Sequence, residues 1–311
     1  MDLWQAATSL SLFPPAWESI VIALPLFLIG ATVSQLSLLK RHGVFLKKGL
    51  GQHILIDDNI AEKIVDALGL EPDEGVFEIG PGLGALTQRL AAQAKQVVAV
   101  EIDKRFADIL DTFAGEAGNV DVVNENILGV DTERVISRYP IGRWKLVGNL
   151  PYYITSAIIM KIVDSRAHFS EAVITVQDEF ANRMVAAPGS KDYSSLSICI
   201  QYRFKPEILF TIKPNSFFPR PDVRSAVVRL RVFERPTLDV RDEGLFFQTI
   251  RAAFGQRRKT LKRSLRQIPG LTPKHMGELD RISGVGLDNR PEDLSIEEFA
   301  FLSNAIKSVV G

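Results

Sequence analysis

The residues "VFEIGPGLGALTQRL", 76–90, decide the fold. Val76-Phe77-Glu78-Ile79 reads as a short buried strand, and the chain beyond Ala85 reads as a helix. Gly80, Gly82 and Gly84 fill the turn between them. Glycines there let the backbone pass close to a ligand and expose the N–H groups of a helix start. The next strand, "QVVAVEID" (96–103), places Glu101 about 20 residues further on, where a carboxylate can accept from both hydroxyls of a ribose. Gly80, Gly82 and Ala85 also satisfy the relaxed dinucleotide pattern, so the loop alone does not separate NAD from S-adenosylmethionine.

Outward from this unit, apolar blocks alternate with helical ones. Asp57-Asp58 opens a helix with Ile60, Ile64, Val65 and Leu68 on one face. "VDVVNEN" (120–126), "KLVGN" (145–149) and "EAVITVQDEF" (171–180) supply three more strands, the last running into a helix. Strands alternating with helices predict an α/β fold, a doubly wound, Rossmann-like parallel sheet. "SAVVRLRVF" (225–233) is expected to close that sheet. After Pro236 the pattern turns helical in "LFFQTIRAAF", "RRKTLKRSLRQI" and "SIEEFAFLSNAI". The expected division is an apolar extension over 1–44, a ligand-binding α/β domain over 45–237 and a small helical domain over 238–311.

The 311 residues carry 37 basic and 37 acidic side chains, so no global field attracts nucleic acid and any basic contact surface is local. Cys199 is the single cysteine, which excludes an internal disulfide and a cysteine-built zinc site. Its apolar setting reads as an inert buried thiol. The four histidines, 42, 53, 168 and 275, lack metal-ligand spacing, and no metal is expected.

From Ser19 to Leu39 there is no charged residue but Lys40, Arg41, Lys47 and Lys48 follow. Such a run can span a bilayer, and membrane contact is expected only through residues 19–39. Two other readings stand beside an anchor: a helix docked on the domain, which Pro14, Pro15 and Pro25 interrupt, and an over-extended start with the functional chain beginning near Val44. The last is favoured, because nothing before Phe45 contributes to the alternating pattern.

The fourth strand ends in Asn149-Leu150-Pro151-Tyr152, inside "VGNLPYYIT" (147–155). This order suits methyl transfer to the exocyclic amine of adenine, whose N6 lone pair is delocalised into the ring. Two acceptors aimed at the N6 hydrogens would free that lone pair. The Asn149 side-chain oxygen can be one and the Leu150 carbonyl the other. Pro151 confines Leu150 to an extended conformation and so aims its carbonyl. Tyr152 offers a face on which a splayed-out base can stack. On the third strand, Asn124-Glu125-Asn126 stands where a ligand crosses the strand ends, and the Asn126 oxygen can accept from the adenine of a cofactor.

With these motifs in order, the chain resembles the ribosomal RNA adenine dimethyltransferases of the small subunit. "KKGLGQHILID", "FEIGPGLGALT", "VVAVEIDKRF", "VGNLPYYIT", "FFPRPDVRSAVVRL", "AAFGQRRKTLKRSL" and "RPEDLSIEEFAFLSNAI" carry the resemblance from about Phe45 to the C-terminus. It implies S-adenosylmethionine as cofactor and dimethylation of N6 on two adjacent adenosines near the 3′ end of small-subunit rRNA. It further implies a cytoplasmic, monomeric enzyme of ribosome biogenesis acting on the assembling small subunit. By the same resemblance His53 and Leu55 line the methionine end of the cofactor, Gly80 begins its loop, Glu101 holds its ribose, and Asn149 serves cofactor and target amine. Phe217 is expected to sandwich the target adenine against Tyr152. Two positions depart from the family: Asn126 replaces its usual aspartate, and Arg224 stands where an acid is common.

Arg251, Arg257, Arg258, Lys259, Lys262, Arg263 and Arg266 form a basic run without an acid. On one helix, Arg258, Lys262 and Arg266 would share a face and contact phosphates. Other readings are an enzyme acting on one large-subunit rRNA adenosine, and a non-catalytic RNA-binding assembly or transcription factor on the same fold. A DNA adenine methyltransferase lacks a recognisable target domain here. An NAD dehydrogenase would leave Asn149-Leu150-Pro151-Tyr152 unexplained.

Overall fold

A computed structural model describes residues 35–44, 46, 51–235, 237–256 and 259–310. Nine strands are present among them: β1 (Ile54–Leu55), β2 (Gly75–Ile79), β3 (Gln96–Val100), β4 (Val120–Val123), β5 (Trp144–Asn149), β6 (Glu171–Gln177), β7 (Phe204–Ile212), β8 (Phe217–Phe218) and β9 (Ser225–Val232). Seven form one sheet in the order β4-β3-β2-β5-β6-β9-β7. β4 to β6 pair in parallel, while β9 runs antiparallel to both β6 and β7.

Alternation of side chains across the sheet gives it two buried faces. Phe77, Val98, Leu146, Ile174 and Val228 enter one apolar cluster, and their chain neighbours Val76, Val97, Val147, Val173 and Val227 enter another on the opposite face. Leu146 is 2% exposed, so Leu146→Ala would cost about 2–5 kcal/mol. Helices Asp58–Asp66 and Lys104–Ala117 cover the sheet, each started by an aspartate that accepts a backbone N–H: Asp57 from Ile60, Asp103 from Arg105.

The sheet does not close on residues 225–233. β9 is interior and β7 forms the edge. Pro206 lies within β7, opposite Leu230, where an edge position tolerates its missing N–H.

The N-terminal expectation also needs correction. Helix Gln35–Arg41 precedes Phe45, and its Leu39 is buried in a cluster with Ile54, Leu83 and Phe106. Leu36 packs against the same group, three residues away on the helix face. This segment therefore belongs to the packing around the glycine loop. Most of the 19–39 apolar run lies outside the described residues. Among the described residues no helix is long and apolar enough to cross a membrane.

Towards the C-terminus, helices Glu243–Gly255, Pro273–Ser283 and Ile296–Val310 bury Phe246, Leu279, Phe299 and Leu302 together with Tyr193, Ile198 and Tyr202. The last three precede residue 238, so this core ties the C-terminal helices to helix Ser195–Arg203. On that helix Cys199 is half-buried, not fully buried, with its sulfur 3.8 Å from the Met160 sulfur; burial pushes its thiol pKa up.

The basic run is not one helix. Thr260 is extended, a short helix spans Leu261–Ser264, and a 3-10 turn follows over Leu265–Gln267. The N–H groups of Leu261 and Lys262 donate to the carbonyls of Asn289 and Leu287. Those are the orphan donors of a helix start, so the helix begins at Leu261. Lys259, Lys262, Arg263 and Arg266 are exposed, whereas Arg257 and Arg258 lie outside the described residues.

Candidate active site

The carboxyl ends of β2, β3 and β5 open onto one cavity. It is lined by Gly80, Gly82, Glu101, Asn126, Asn149, Leu150, Pro151 and Tyr152, and by His53 and Leu55 from the segment that crosses it. Residues spread over 100 positions of sequence thus meet in one place, as strand ends do in an open α/β sheet.

Gly80 and Gly82 have φ of +67° and +59°, where a side chain would strain the backbone. A Cβ at Gly82 would meet no protein atom within 4 Å, which leaves its backbone open to the cavity. Gly84 serves packing instead: a Cβ there would come within 2.9 Å of Leu110 on helix Lys104–Ala117.

Glu101 is 5% exposed. Its two oxygens accept from the N–H groups of Gly82 (3.0 Å) and Asp103 (2.8 Å), which fixes the carboxylate while leaving lone pairs for a ligand. Burial raises its pKa to about 7 against the pull of those two bonds. Glu78, inside β2, also lines the cavity and accepts from Thr87 Oγ1 at 2.7 Å. Burial pushes Glu78 up to about 8, with Thr87 acting against the shift and Glu101 adding to it.

Sequence reasoning passed over Glu78, although a lone acid within an apolar strand was the available signal. It also missed Gln52, whose amide donates to Asp103 at 3.0 Å. The Arg105 guanidinium holds the Asp103 carboxyl well below the usual carboxylate range.

Asn149 closes the other side. Its Nδ2 donates to the His53 carbonyl at 2.9 Å. A carbonyl can only accept, so the NH₂ is the group that faces it and the oxygen is turned away as an acceptor. The Leu150 N–H donates to the Thr175 carbonyl on β6, and Thr155 Oγ1 donates to the Pro151 carbonyl. Tyr152 shares a hydrogen bond with Ser225 Oγ, and its ring stacks on His53 with centroids 5.3 Å apart and planes at 26°.

One sequence expectation changes here, that for Phe217, while His53 and Asn126 line the cavity with added constraints. Phe217 is 2% exposed, packs in a cluster with Leu55, Val147 and Val227, and does not itself line the cavity. Alternation along β8 turns Phe217 inward and Phe218 out, and His53 lies on the Tyr152 ring instead. His53, expected at the methionine end, directs its ring to the stacking tyrosine. The Asn126 oxygen is already shared, accepting from the Leu128 N–H at 3.0 Å, so only its second lone pair is left for a ligand. Among the described residues no cluster of histidine, cysteine or acid side chains could hold a metal ion.

The model of the family "Ribosomal RNA adenine dimethylase" matches residues 45–308. The chain belongs to this family. Ribosomal RNA small subunit methyltransferase A of Geobacillus sp. (strain WCH70) is 44% identical over 280 residues, covering 88% of this chain and 96% of that protein. The protein of the same name from Bacillus cereus (strain AH187) is 44% identical over 274 residues, with coverage of 86% and 94%. Among solved structures, a dimethyladenosine transferase from Plasmodium falciparum aligns with a TM-score of 0.71 at 26% identity, over 83% of this chain and 98% of that one. The 23S rRNA methyltransferase ErmE aligns with a TM-score of 0.61 at 28% identity, over 82% and 99%. As a ribosomal RNA adenine dimethylase the protein uses S-adenosylmethionine, and the chemistry of the cavity fits that group. Glu101 offers a buried carboxylate to a ribose, and Gly80 and Gly82 leave backbone exposed beside it.

Proposed function

We propose that this protein dimethylates N6 of two adjacent adenosines near the 3′ end of small-subunit rRNA during ribosome assembly. The observation that carries the reading is the fixed Asn149 amide, whose oxygen is the free acceptor in the same cavity as Gly80, Gly82 and Glu101. Bound S-adenosylmethionine supplies an already activated sulfonium methyl. Gly80, Gly82, Glu78, Glu101 and Asn126 hold the cofactor in this account. Asn149 and the Leu150 carbonyl accept the two N6 hydrogens and free the nitrogen lone pair, while Tyr152 carries the base. Holding the amine in line supplies most of the acceleration, and no strong base is needed, because the N6 proton can leave to water after transfer.

Residues 45–237 form the catalytic domain in this proposal, and 238–311 the helical domain that grips RNA through Lys259, Lys262, Arg263 and Arg266. Zero net charge makes such a local patch the basis of phosphate contact. Small-subunit rRNA is favoured over large-subunit rRNA by the 44% identity to small-subunit methyltransferases. The test incubates the full chain and labelled S-adenosylmethionine with undermethylated small subunits and, separately, with large subunits. N6,N6-dimethyladenosine near the 3′ end of the small-subunit rRNA is the expected product; label confined to large subunits would overturn the assignment.

A further inference from the structure

His53 is held at three points. Its carbonyl accepts from Asn149 Nδ2 at 2.9 Å. Its Nδ1 lies 2.7 Å from the Pro219 carbonyl, so Nδ1 carries the proton and donates. Its ring stacks on Tyr152. One residue therefore touches two of the three groups assigned to the target adenine, Asn149 and Tyr152.

An amide such as that of Asn149 presents an oxygen on one side and an NH₂ on the other, and a half-turn exchanges them. An NH₂ facing the adenine amine would set donor against donor. The His53 carbonyl removes that choice, provided the segment carrying it stays in place. On one side of the cavity Gln52 ties the segment to Asp103. On the other side the pairing is short: Ile54 with Phe218 and Leu55 with Phe217, continued by the Ile56 N–H, which donates to the Ser216 carbonyl at 2.9 Å. A ladder that short is not rigid by itself. The bond from the His53 ring to Pro219 reinforces it directly beside the Asn149 contact.

We infer that His53 is a positioning residue for methyl transfer: its Nδ1–H bond to Pro219 fixes the segment whose carbonyl orients the Asn149 amide. This rests on Asn149 being the acceptor for the target amine. The stack has a second consequence. Rings with a base between them stand about 7 Å apart, two van der Waals layers. His53 and Tyr152, at 5.3 Å, admit none. His53 backs one face of Tyr152, and the target base takes the other.

Three full-length variants separate the bond from the ring. His53→Asn places a donor near the Nδ1 position without a ring, His53→Phe keeps a flat ring without a donor, and His53→Leu has neither. The readouts are kcat and KM on undermethylated small subunits, the Kd for S-adenosylmethionine by calorimetry, and thermal unfolding to verify folding. His53→Phe and His53→Leu are expected to lower kcat by about tenfold to a hundredfold, as a misplaced catalytic group does. Their KM and cofactor Kd should move by less than about threefold, and His53→Asn should keep most of kcat. Full kcat in folded His53→Phe, or a loss in His53→Asn equal to that in His53→Leu, would overturn the inference. So would a rise in cofactor Kd that accounts for the whole loss. A wild-type protein that makes no dimethyladenosine would refute the proposed function instead.

Discussion

Asn149 and His53 lie 96 residues apart and meet through one hydrogen bond, Asn149 Nδ2 to the His53 carbonyl at 2.9 Å. That bond decides which end of the amide faces the cavity. A residue at the end of a parallel strand thereby becomes an oriented acceptor, and the chemistry assigned to the site depends on it.

Tyr152 is assigned one role in binding, its face. Tyr152→Ala removes about 1–3 kcal/mol of base stacking and should raise KM for small subunits about tenfold or more, with cofactor Kd nearly unchanged. Tyr152→Phe keeps the face and loses only the bond to Ser225, so steady-state kinetics should place it close to wild type. A Tyr152→Phe variant as impaired as Tyr152→Ala would show that the hydroxyl, not the face, matters.

Cofactor binding should depend on pH. Burial raises the Glu101 carboxyl to about 7 and Glu78 to about 8. Raised acid pKa values mean that the free folded protein binds more protons than the unfolded chain between the ordinary carboxylate range and these values. Its stability therefore falls as pH rises through that window. A ribose and a cationic sulfonium both favour the ionised acids, so binding releases protons there. Calorimetry should show the Kd for S-adenosylmethionine tightening about tenfold between about pH 6 and about pH 8, and Glu101→Gln should lose part of that dependence. A flat profile in the wild type would contradict it.

Asn126→Asp places a charge just beyond β4. An aspartate can keep the bond to the Leu128 N–H and offer a full charge to the adenine amine. Its cofactor Kd by calorimetry should fall; an unchanged or higher value would show that the amide is no handicap.

The basic patch should act on RNA alone. Lys262→Glu with Arg266→Glu should weaken small-subunit binding and flatten the log–log salt dependence by about one unit per lost phosphate contact. Filter binding across a salt series measures this. A loss of cofactor binding in the same variant would make the patch structural.

The parallel part of the sheet was legible because β2, β3, β5 and β6 are short apolar blocks between glycine or acid signals. Glu101 and Asn149 were legible because strand ends place polar residues over the ligand crevice. β7 was not, since Lys205-Pro206-Glu207 hides an edge strand. The inward turn of Phe217 and the stack of His53 on Tyr152 depend on β1 meeting β8, and two-residue strands are too short to phase from a pattern. The break at Thr260 is set by carbonyls of Leu287 and Asn289, far along the chain. Helix Gln35–Arg41 was hidden at the end of a longer apolar run, where hydropathy drew attention away from its own amphipathic spacing.

The central claim is that Asn149 offers its side-chain oxygen to the target amine. The most direct test is single-turnover methylation of undermethylated small subunits by Asn149→Ala, with cofactor and subunit saturating. The account predicts a rate lowered by about a hundredfold or more, the scale for losing one preorganised polar contact to a transition state, with subunit affinity retained. A rate within about threefold of wild type would contradict it.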